Sequence, residues 1–264
     1  MKIRQLASYA CGALILTLSS VIWADVIAED NFESGVHSSL WNGFSYVSVA
    51  KLPQETGRTG YGLKMWYKGT ALDTSDADAE ARFDLKKEYT DLLIEFDLFI
   101  PANYKHVTPS DRAANNKFLR LWQVSYSEGE QIGAGTIPQD NTTTSIIGTD
   151  YKRFPNWGVS TAVKQSRDFI TPEDLGHWMA IKIYARAPTD TSNGVLRIYK
   201  NKYVVLDDTN IANILPGTQG WRYGYLLGWA NSGFREDTIL YIDNVRFSDV
   251  APPKSPGGAP SSSK

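Results

Sequence analysis

Apolar and polar residues alternate along much of this chain. In residues 92–100, one face carries Leu92, Ile94, Phe96, Leu98 and Ile100. The same period of two occurs in residues 117–126, 178–186, 195–201, 202–207, 221–229 and 238–247. Such alternation predicts half-buried strands, whereas only residues 207–215 suggest a short helix. Many short strands separated by Gly, Asn, Asp and Pro turns predict an all-β fold, an antiparallel β-sandwich or jelly roll.

The two ends of the chain differ from the rest in composition. Lys2 and Arg4 precede an apolar run at residues 10–18, which is much shorter than the ~20 residues that span a bilayer. Small residues follow, so residues 1–24 are predicted to be a signal peptide, cleaved after Ala24 or Ala28. Residues 251–264 are rich in Pro, Gly and Ser and are predicted to be a disordered tail. A single jelly-roll domain at 25–250, secreted or periplasmic, is expected.

Composition narrows the classes of function. The 264 residues carry a formal net charge of −2 without a basic block, which argues against nucleic-acid binding. Cys11 is the one cysteine and lies in the predicted signal peptide, so the mature chain has no disulfide, thiolate-bound zinc or thiol nucleophile. We expect a monomer with no membrane association and no required cofactor.

Candidate binding residues fall on the polar faces of the predicted strands. Aromatic side chains can stack on sugar rings, while Lys and Arg pair with sugar carboxylates or sulfates. A solvated sheet face with cross-strand pairs is the alternative explanation. Residues 101–116 and 127–157 are predicted to be long polar loops, a length that is often functional. The candidates on outward faces are Glu95, Asp97, Trp178, Lys182, Tyr184, Arg186, Arg197 and Tyr199.

Four segments occur in the order expected of one known group of enzymes. They are FESGVHSSLW (32–41), NNKFLRLW (115–122), GHWMAIKIYARA (176–187) and YIDNVRFSD (241–249). Together they resemble the concanavalin A-like jelly-roll polysaccharide lyases of the alginate, glucuronan and heparin type, over residues 29–249. The resemblance implies β-elimination on an acidic, uronate-containing polysaccharide.

A uronate lyase must neutralise the sugar carboxylate, remove the neighbouring proton and protonate the leaving oxygen. The resemblance implies that Lys117 is the base or neutralising group and that Arg120 pairs with the carboxylate. Either Tyr184 or Tyr199 would then carry the proton. Two further site candidates are Arg153, whose charge would lower the pKa of a basic lysine, and His106 in the 101–116 loop.

Three alternatives stay open. A retaining glucanase needs two carboxylates on one strand face, and Glu95 and Asp97 supply only part of that pattern because Ile100 stands where the last carboxylate belongs. A non-catalytic carbohydrate-binding module and a purely structural surface protein also fit the sequence.

Glu33 and Asp243 are candidate metal ligands near the two ends of the domain. The first and last strands are neighbours in jelly-roll carbohydrate modules, where carboxylates hold a structural Ca²⁺. Calcium takes six to eight oxygens, and the alternative for Asp243 is a carboxylate that caps a turn.

Overall fold

The protein is described here by a computed structural model that covers residues 24–70, 76–106, 116–126, 130–138, 143–153, 165–188, 193–211, 220–231 and 233–250. The predicted signal peptide, except Ala24, and the predicted C-terminal tail lie outside this part of the chain. Over the covered ranges, no helix has the length and apolarity needed to cross a membrane.

Strands account for most of the covered residues. They are β1 (Asp25–Asp30), β2 (Trp41–Ser45), β3 (Val47–Lys51), β4 (Tyr61–Tyr67), β5 (Ala77–Asp78), β6 (Glu80–Tyr89), β7 (Asp91–Ile100), β8 (Asn116–Trp122), β9 (Glu130–Pro138), β10 (Ser145–Arg153), β11 (Gln165–Ile170), β12 (His177–Arg186), β13 (Gly194–Lys200), β14 (Tyr203–Ile211), β15 (Trp221–Leu226), β16 (Trp229–Ala230) and β17 (Thr238–Asp249). Single 3-10 turns occur at Gln54–Thr56 and Pro172–Asp174.

The strands form two antiparallel sheets packed face to face. The β7 sheet has the order β14-β13-β12-β7-β17-β4-β3, and β1 pairs with β17. The β8 sheet has the order β11-β10-β9-β8-β15-β6-β2, with the short strands β5 and β16 attached to it. Strands that are distant in sequence lie side by side, which confirms the predicted jelly-roll sandwich.

The core lies between the inner faces of the two sheets. The apolar face predicted for residues 92–100 is confirmed, because Leu92, Ile94 and Ile100 are fully buried. Aromatic rings bridge the sheets: the Phe83 and Phe247 centroids are 4.7 Å apart. Period-two sequence therefore produces the core directly, since every second residue faces the opposite sheet.

Two sequence predictions about individual segments are wrong. Residues 207–211 form the end of β14 rather than a helix, because Arg197 and Asp207 are cross-strand partners in the β13–β14 ladder. The proposed loop at 127–157 contains the β9–β10 hairpin, in which Gly133 faces Asp150. The hairpin was not predicted because its many small and polar residues weaken the alternation of apolar and polar positions.

Candidate functional site

The predicted site residues lie on opposite faces of the molecule. Lys117 and Arg120 project from the outer face of the β8 sheet. The predicted site residues therefore do not form one site, because two packed sheets separate this pair from the candidates on the β7 sheet. Those on the outer face of the β7 sheet are Glu95, Asp97, Trp178, Lys182, Tyr184, Arg186, Arg197 and Tyr199.

Charges on the outer β7 face pair with one another across neighbouring strands. Lys182 Nζ lies 2.8 Å from Glu95 Oε1. Arg197 Nε lies 2.9 Å from Asp207 Oδ1 and, like Lys182, is partly solvent-exposed. Such exposed pairs contribute little to stability, but they satisfy the charges locally. The pairing is typical of the solvated sheet face that the sequence left as an alternative, although Glu95, Lys182 and Tyr199 also line an open cavity of about 570 Å³.

Trp178 and Asp97 anchor the loop after β3 against the β7 sheet. The Arg58 guanidinium lies 4.1 Å from the centre of the Trp178 ring and 2.8 Å from Asp97 Oδ2. The Trp178 indole donates a hydrogen bond to the carbonyl of Thr56 at 2.8 Å. These contacts give both predicted ligand-binding side chains a structural partner within the chain.

The carboxylate of Asp243 is paired with the guanidinium of Arg58. Arg58 Nη1 lies 3.5 Å from Asp243 Oδ2, and the other Asp243 oxygen accepts the Asn244 backbone N–H at 2.7 Å. Glu33 accepts the backbone N–H of Tyr61 at 2.9 Å. No group of three or more His, Cys, Asp or Glu suited to a metal is found in the covered ranges. These residues fit an Arg58-centred cluster better than the calcium site predicted at Glu33 and Asp243, which stays a prediction.

Tyr184 and Arg186 converge on one buried carboxylate at the edge of the β7 face. The Tyr184 hydroxyl donates to Asp91 Oδ1, which also accepts from Arg186 Nε at 2.7 Å. Burial raises the pKa of Tyr184 to about 12, and its bond to Asp91 and the charge of Asp91 act in the same direction. This tyrosine therefore holds its proton far from Lys117.

His106 and Arg153, the last two predicted site residues, are not placed on either outer face. His106 is buried and packs edge-on against Phe234, with ring centroids 5.3 Å apart. The backbone of Arg153 ends β10, and its side chain lies outside the described part of the chain.

On the outer β8 face, strand pairing assembles a different set of neighbours. Arg120 stands opposite Tyr225 on one side and Gly133 on the other. Trp122 stands opposite Tyr223 on the adjacent strand. Because β8 lies between β9 and β15, residues from three strands meet around Arg120.

Two glycines leave the space that these side chains use. A Cβ added to Gly133 would lie 2.4 Å from Arg120 Nη1. A Cβ added to Gly228 would lie 2.7 Å from the Tyr225 ring and 3.3 Å from Lys117 Cβ. The Tyr225 ring and the Lys117 Cβ therefore both pack against Gly228, and the Arg120 guanidinium occupies the space over Gly133.

Aromatic rings continue this surface toward the end of β8. Trp122 packs against Tyr225 and Tyr126, with centroids 5.4 and 5.5 Å apart. The Arg82 guanidinium lies 5.0 Å from the Tyr126 ring centre and also pairs with Glu80. On the other side, Lys117 Nζ is 5.9 Å from the ring of Trp229. The face thus combines ring surfaces with cations, which is the pattern that suits an acidic polysaccharide.

The electrostatic setting of Tyr225 keeps it protonated. Its burial raises the pKa of the hydroxyl well above the usual value, while the charge of Arg120 and a hydrogen bond with it act in the opposite direction. Burial likewise raises the pKa of Tyr126 to about 12. Tyr225 consequently keeps its proton at neutral pH and is hydrogen-bonded to the Arg120 side chain.

Sequence reasoning singled out Lys117 and Arg120 but missed most of their neighbours. Tyr223 and Tyr225 alternate with buried residues in β15, so the period-two pattern could have marked them as a pair. What the pattern could not supply was the pairing of β15 with β8, which are far apart in the chain. The other residues missed on this face are Arg82, Trp122 and Trp229.

The fold matches solved structures of carbohydrate-active proteins. An endo-β-1,4-glucuronan lyase from the fungus Trichoderma reesei superposes with a TM-score of 0.53 at 15% identity, covering 80% of this chain and 93% of that one. The alginate lyase Aly36B gives a TM-score of 0.51 at 12% identity, covering 76% and 86%. A protein from work on endo-acting O-glycanases that human gut microbes express to initiate mucin breakdown gives 0.50 at 10%, covering 86% and 100%.

No protein-family model and no curated protein matches the chain. The structural matches, at such low identity, show that the chain has the fold of these jelly-roll proteins. Since lyases and a chain from the glycanase work share that fold, the activity has to be argued from side chains.

Proposed function

We propose that this protein is a polysaccharide lyase that cleaves a uronate-containing polysaccharide by β-elimination on the outer face of the β8 sheet. The observation that carries the proposal is the packing of Lys117 and Tyr225 against the same glycine, Gly228, with Arg120 opposite Tyr225 on the neighbouring strand. The fold shared with a glucuronan lyase and an alginate lyase supports the same class of reaction.

Each step of the elimination has a candidate group on this face. Lys117, in its neutral form, removes the proton next to the uronate carboxylate. Tyr225 donates its proton to the leaving glycosidic oxygen, since burial keeps its hydroxyl protonated at neutral pH. The bond between the sugar carbon and the leaving oxygen breaks as the new carbon–carbon double bond forms, so no water is consumed.

Arginines supply the positive charge that the uronate carboxylate requires. Arg82 is half-exposed, and its guanidinium lies beside the Tyr126 ring, where it can contact a bound sugar. Arg120 is buried and acts from behind, by holding the Tyr225 hydroxyl and by adding positive charge. In a site of low dielectric, such fixed charges stabilise the developing enolate strongly.

A retaining hydrolase is a weaker candidate for the same face. Glu95 and Asp97, the carboxylates that the sequence offered for this role, lie on the opposite sheet. Asp84 near the β8 face pairs with Arg222; burial acts to raise the pKa of Asp84, but bonds from Arg222 and Lys86 hold it below its usual value. A carboxylic acid that acts as a general acid needs a raised pKa instead.

We further propose that the protein is exported to a secreted or periplasmic location, where polymeric substrates occur. This rests on the predicted signal peptide at residues 1–24.

The experiment is to incubate the purified protein with glucuronan, alginate and heparin and to follow the ultraviolet absorbance of the unsaturated uronate product. Carboxyl-reduced alginate serves as the matched control polymer, because it lacks the group whose neutralisation drives the reaction. We expect absorbance to grow on at least one native polymer, to be absent on the reduced one, and to fall by about 10²-fold or more in Tyr225→Phe.

Two results would contradict the proposal. New reducing ends without unsaturated product would identify a hydrolase. Retention of the protein in polysaccharide-containing gels, with neither product, would identify the non-catalytic binding module that the sequence left open.

A further inference from the structure

The backbone between β15 and β16 is strained where it passes the candidate site. Leu227 has φ of 55°, a left-handed conformation that a branched side chain rarely adopts, and Gly228 has φ of 157°. Gly228 in this turn lies against both the Tyr225 ring and the Lys117 Cβ. Strained residues of this kind persist only where the surrounding structure holds them.

Two hydrogen bonds hold the turn from within the sandwich. The Leu227 N–H donates to the Phe118 carbonyl at 2.9 Å. The Gly228 N–H donates to the hydroxyl of Tyr67 at 3.2 Å, and that hydroxyl donates in turn to the Ala79 carbonyl at 3.4 Å. Tyr67 belongs to β4 of the opposite sheet and is buried, so it reaches across the core to the site.

A small cavity of about 20 Å³ lies beside Tyr67 and beneath Lys117. Polar groups line it among the apolar ones: Asn116 donates to the Tyr104 hydroxyl at 3.2 Å. Within the described ranges, the buried Asn116 Oδ1 accepts no hydrogen bond from the protein. A volume of this size holds one water, and buried polar atoms are normally satisfied in this way.

We propose that Tyr67 is a positioning residue for the candidate site, and that one water molecule bound to Asn116 Oδ1 in the cavity supports the same region. The Tyr67 hydroxyl fixes the Gly228 backbone, and the Gly228 backbone fixes the gap in which Lys117 and Tyr225 act. The consequence for catalysis rests on the proposed lyase function, whereas the support of the turn does not.

The central variant is Tyr67→Phe, which removes one oxygen and leaves the packing of the ring. We expect kcat to fall about tenfold or more with little change in KM, because small displacements of reacting groups reduce the chemical step rather than binding. Tyr241→Phe is the matched control, since Tyr241 is a buried tyrosine packed on the outer β7 face. Rates are normalised to folded protein.

A second readout is independent of activity. Hydrogen exchange of the Gly228 amide, measured by NMR, should accelerate in Tyr67→Phe and remain unchanged in Tyr241→Phe. If wild-type protein has no lyase activity but this amide loses protection, the positional role is supported and only the proposed function fails. Unchanged protection of Gly228 in Tyr67→Phe would overturn the inference.

The water is tested by a high-resolution crystal structure of the full chain. We expect electron density for one water within hydrogen-bonding distance of Asn116 Oδ1, and its loss in Asn116→Leu. A cavity without such density in the wild-type protein would overturn this part of the inference.

Discussion

Gly133 and Gly228 shape the candidate site by leaving room that any other residue would fill. Arg120 occupies the space over Gly133, and the Tyr225 ring packs against Gly228. The sequence identified Lys117 and Arg120 because they stand in a recognisable strand motif. It could not identify Tyr225 as their neighbour, because strand pairing over a long sequence separation is decided by the packing of the whole sandwich.

Gly133→Ala tests how far Arg120 depends on this space. The added methyl group would approach within 2.4 Å of the guanidinium, and Arg120 is buried, so it has to leave Tyr225. We expect the lyase rate to fall by roughly tenfold or more as the reacting groups are displaced.

The matched control is Gly57→Ala on the opposite side of the protein. A Cβ there meets no atom within 4 Å, although its φ of 69° adds backbone strain. The control should lower the melting temperature and leave the rate per folded molecule unchanged. Equal rates in both variants would show that the position of Arg120 does not matter.

At the scale of elements, the loop after β3 is fastened to the outer β7 face through Arg58 and through the hydrogen bond from Trp178 to Thr56. Arg58 stacks on Trp178 and lies between Asp97 on β7 and Asp243 on β17. Alternation predicted that Trp178 and Asp97 face outward. The loop that covers them could not be predicted, since Arg58 lies in a segment without periodic pattern.

The free energy of unfolding should depend on pH through Asp243, the buried carboxylate beside Arg58. Burial raises the pKa of Asp243, and the nearby Asp97 and Glu33 add to the shift despite Arg58. The native state therefore holds this proton more tightly than the unfolded chain, whose aspartates titrate near ~3.9. Stability is expected to decrease as pH rises from that value through the raised native pKa.

Asp243→Asn removes this titration. The measurement is urea unfolding of wild type and variant from acidic to neutral pH, in which the stability of the variant relative to wild type should increase with pH. A constant difference between wild type and Asp243→Asn would contradict the account.

The whole molecule buries several tyrosine hydroxyls in and behind the β8 face. Burial raises the pKa of Tyr67 and Tyr225, and it raises that of Tyr104 and Tyr126 to about 12. The all-β architecture and the buried faces were predictable from period-two alternation. The separation of candidate residues onto two outer faces was not, because alternation states which side chains point outward but not from which sheet.

Alkaline conditions should unfold the protein through these tyrosines. The stability they contribute is present below the unfolded-state pKa of about 10 and is lost as pH rises above it, because only the native state keeps its protons. Each such group steepens the decline by up to about 1.4 kcal/mol per pH unit. Melting temperature and tyrosinate absorbance should change together. Ionisation of the buried tyrosines near pH 10 in a protein that stays folded would contradict this.

The claim that the β8 face carries the activity is tested most directly by comparing two lysines on opposite sheets. Lys117 packs against Gly228 on the β8 sheet, and Lys182 pairs with Glu95 on the outer β7 face. We expect Lys117→Ala to reduce formation of unsaturated product by at least about 10²-fold, and Lys182→Ala to leave it within about twofold of wild type. A loss in Lys182→Ala with full activity in Lys117→Ala would place the site on the other sheet and contradict the account.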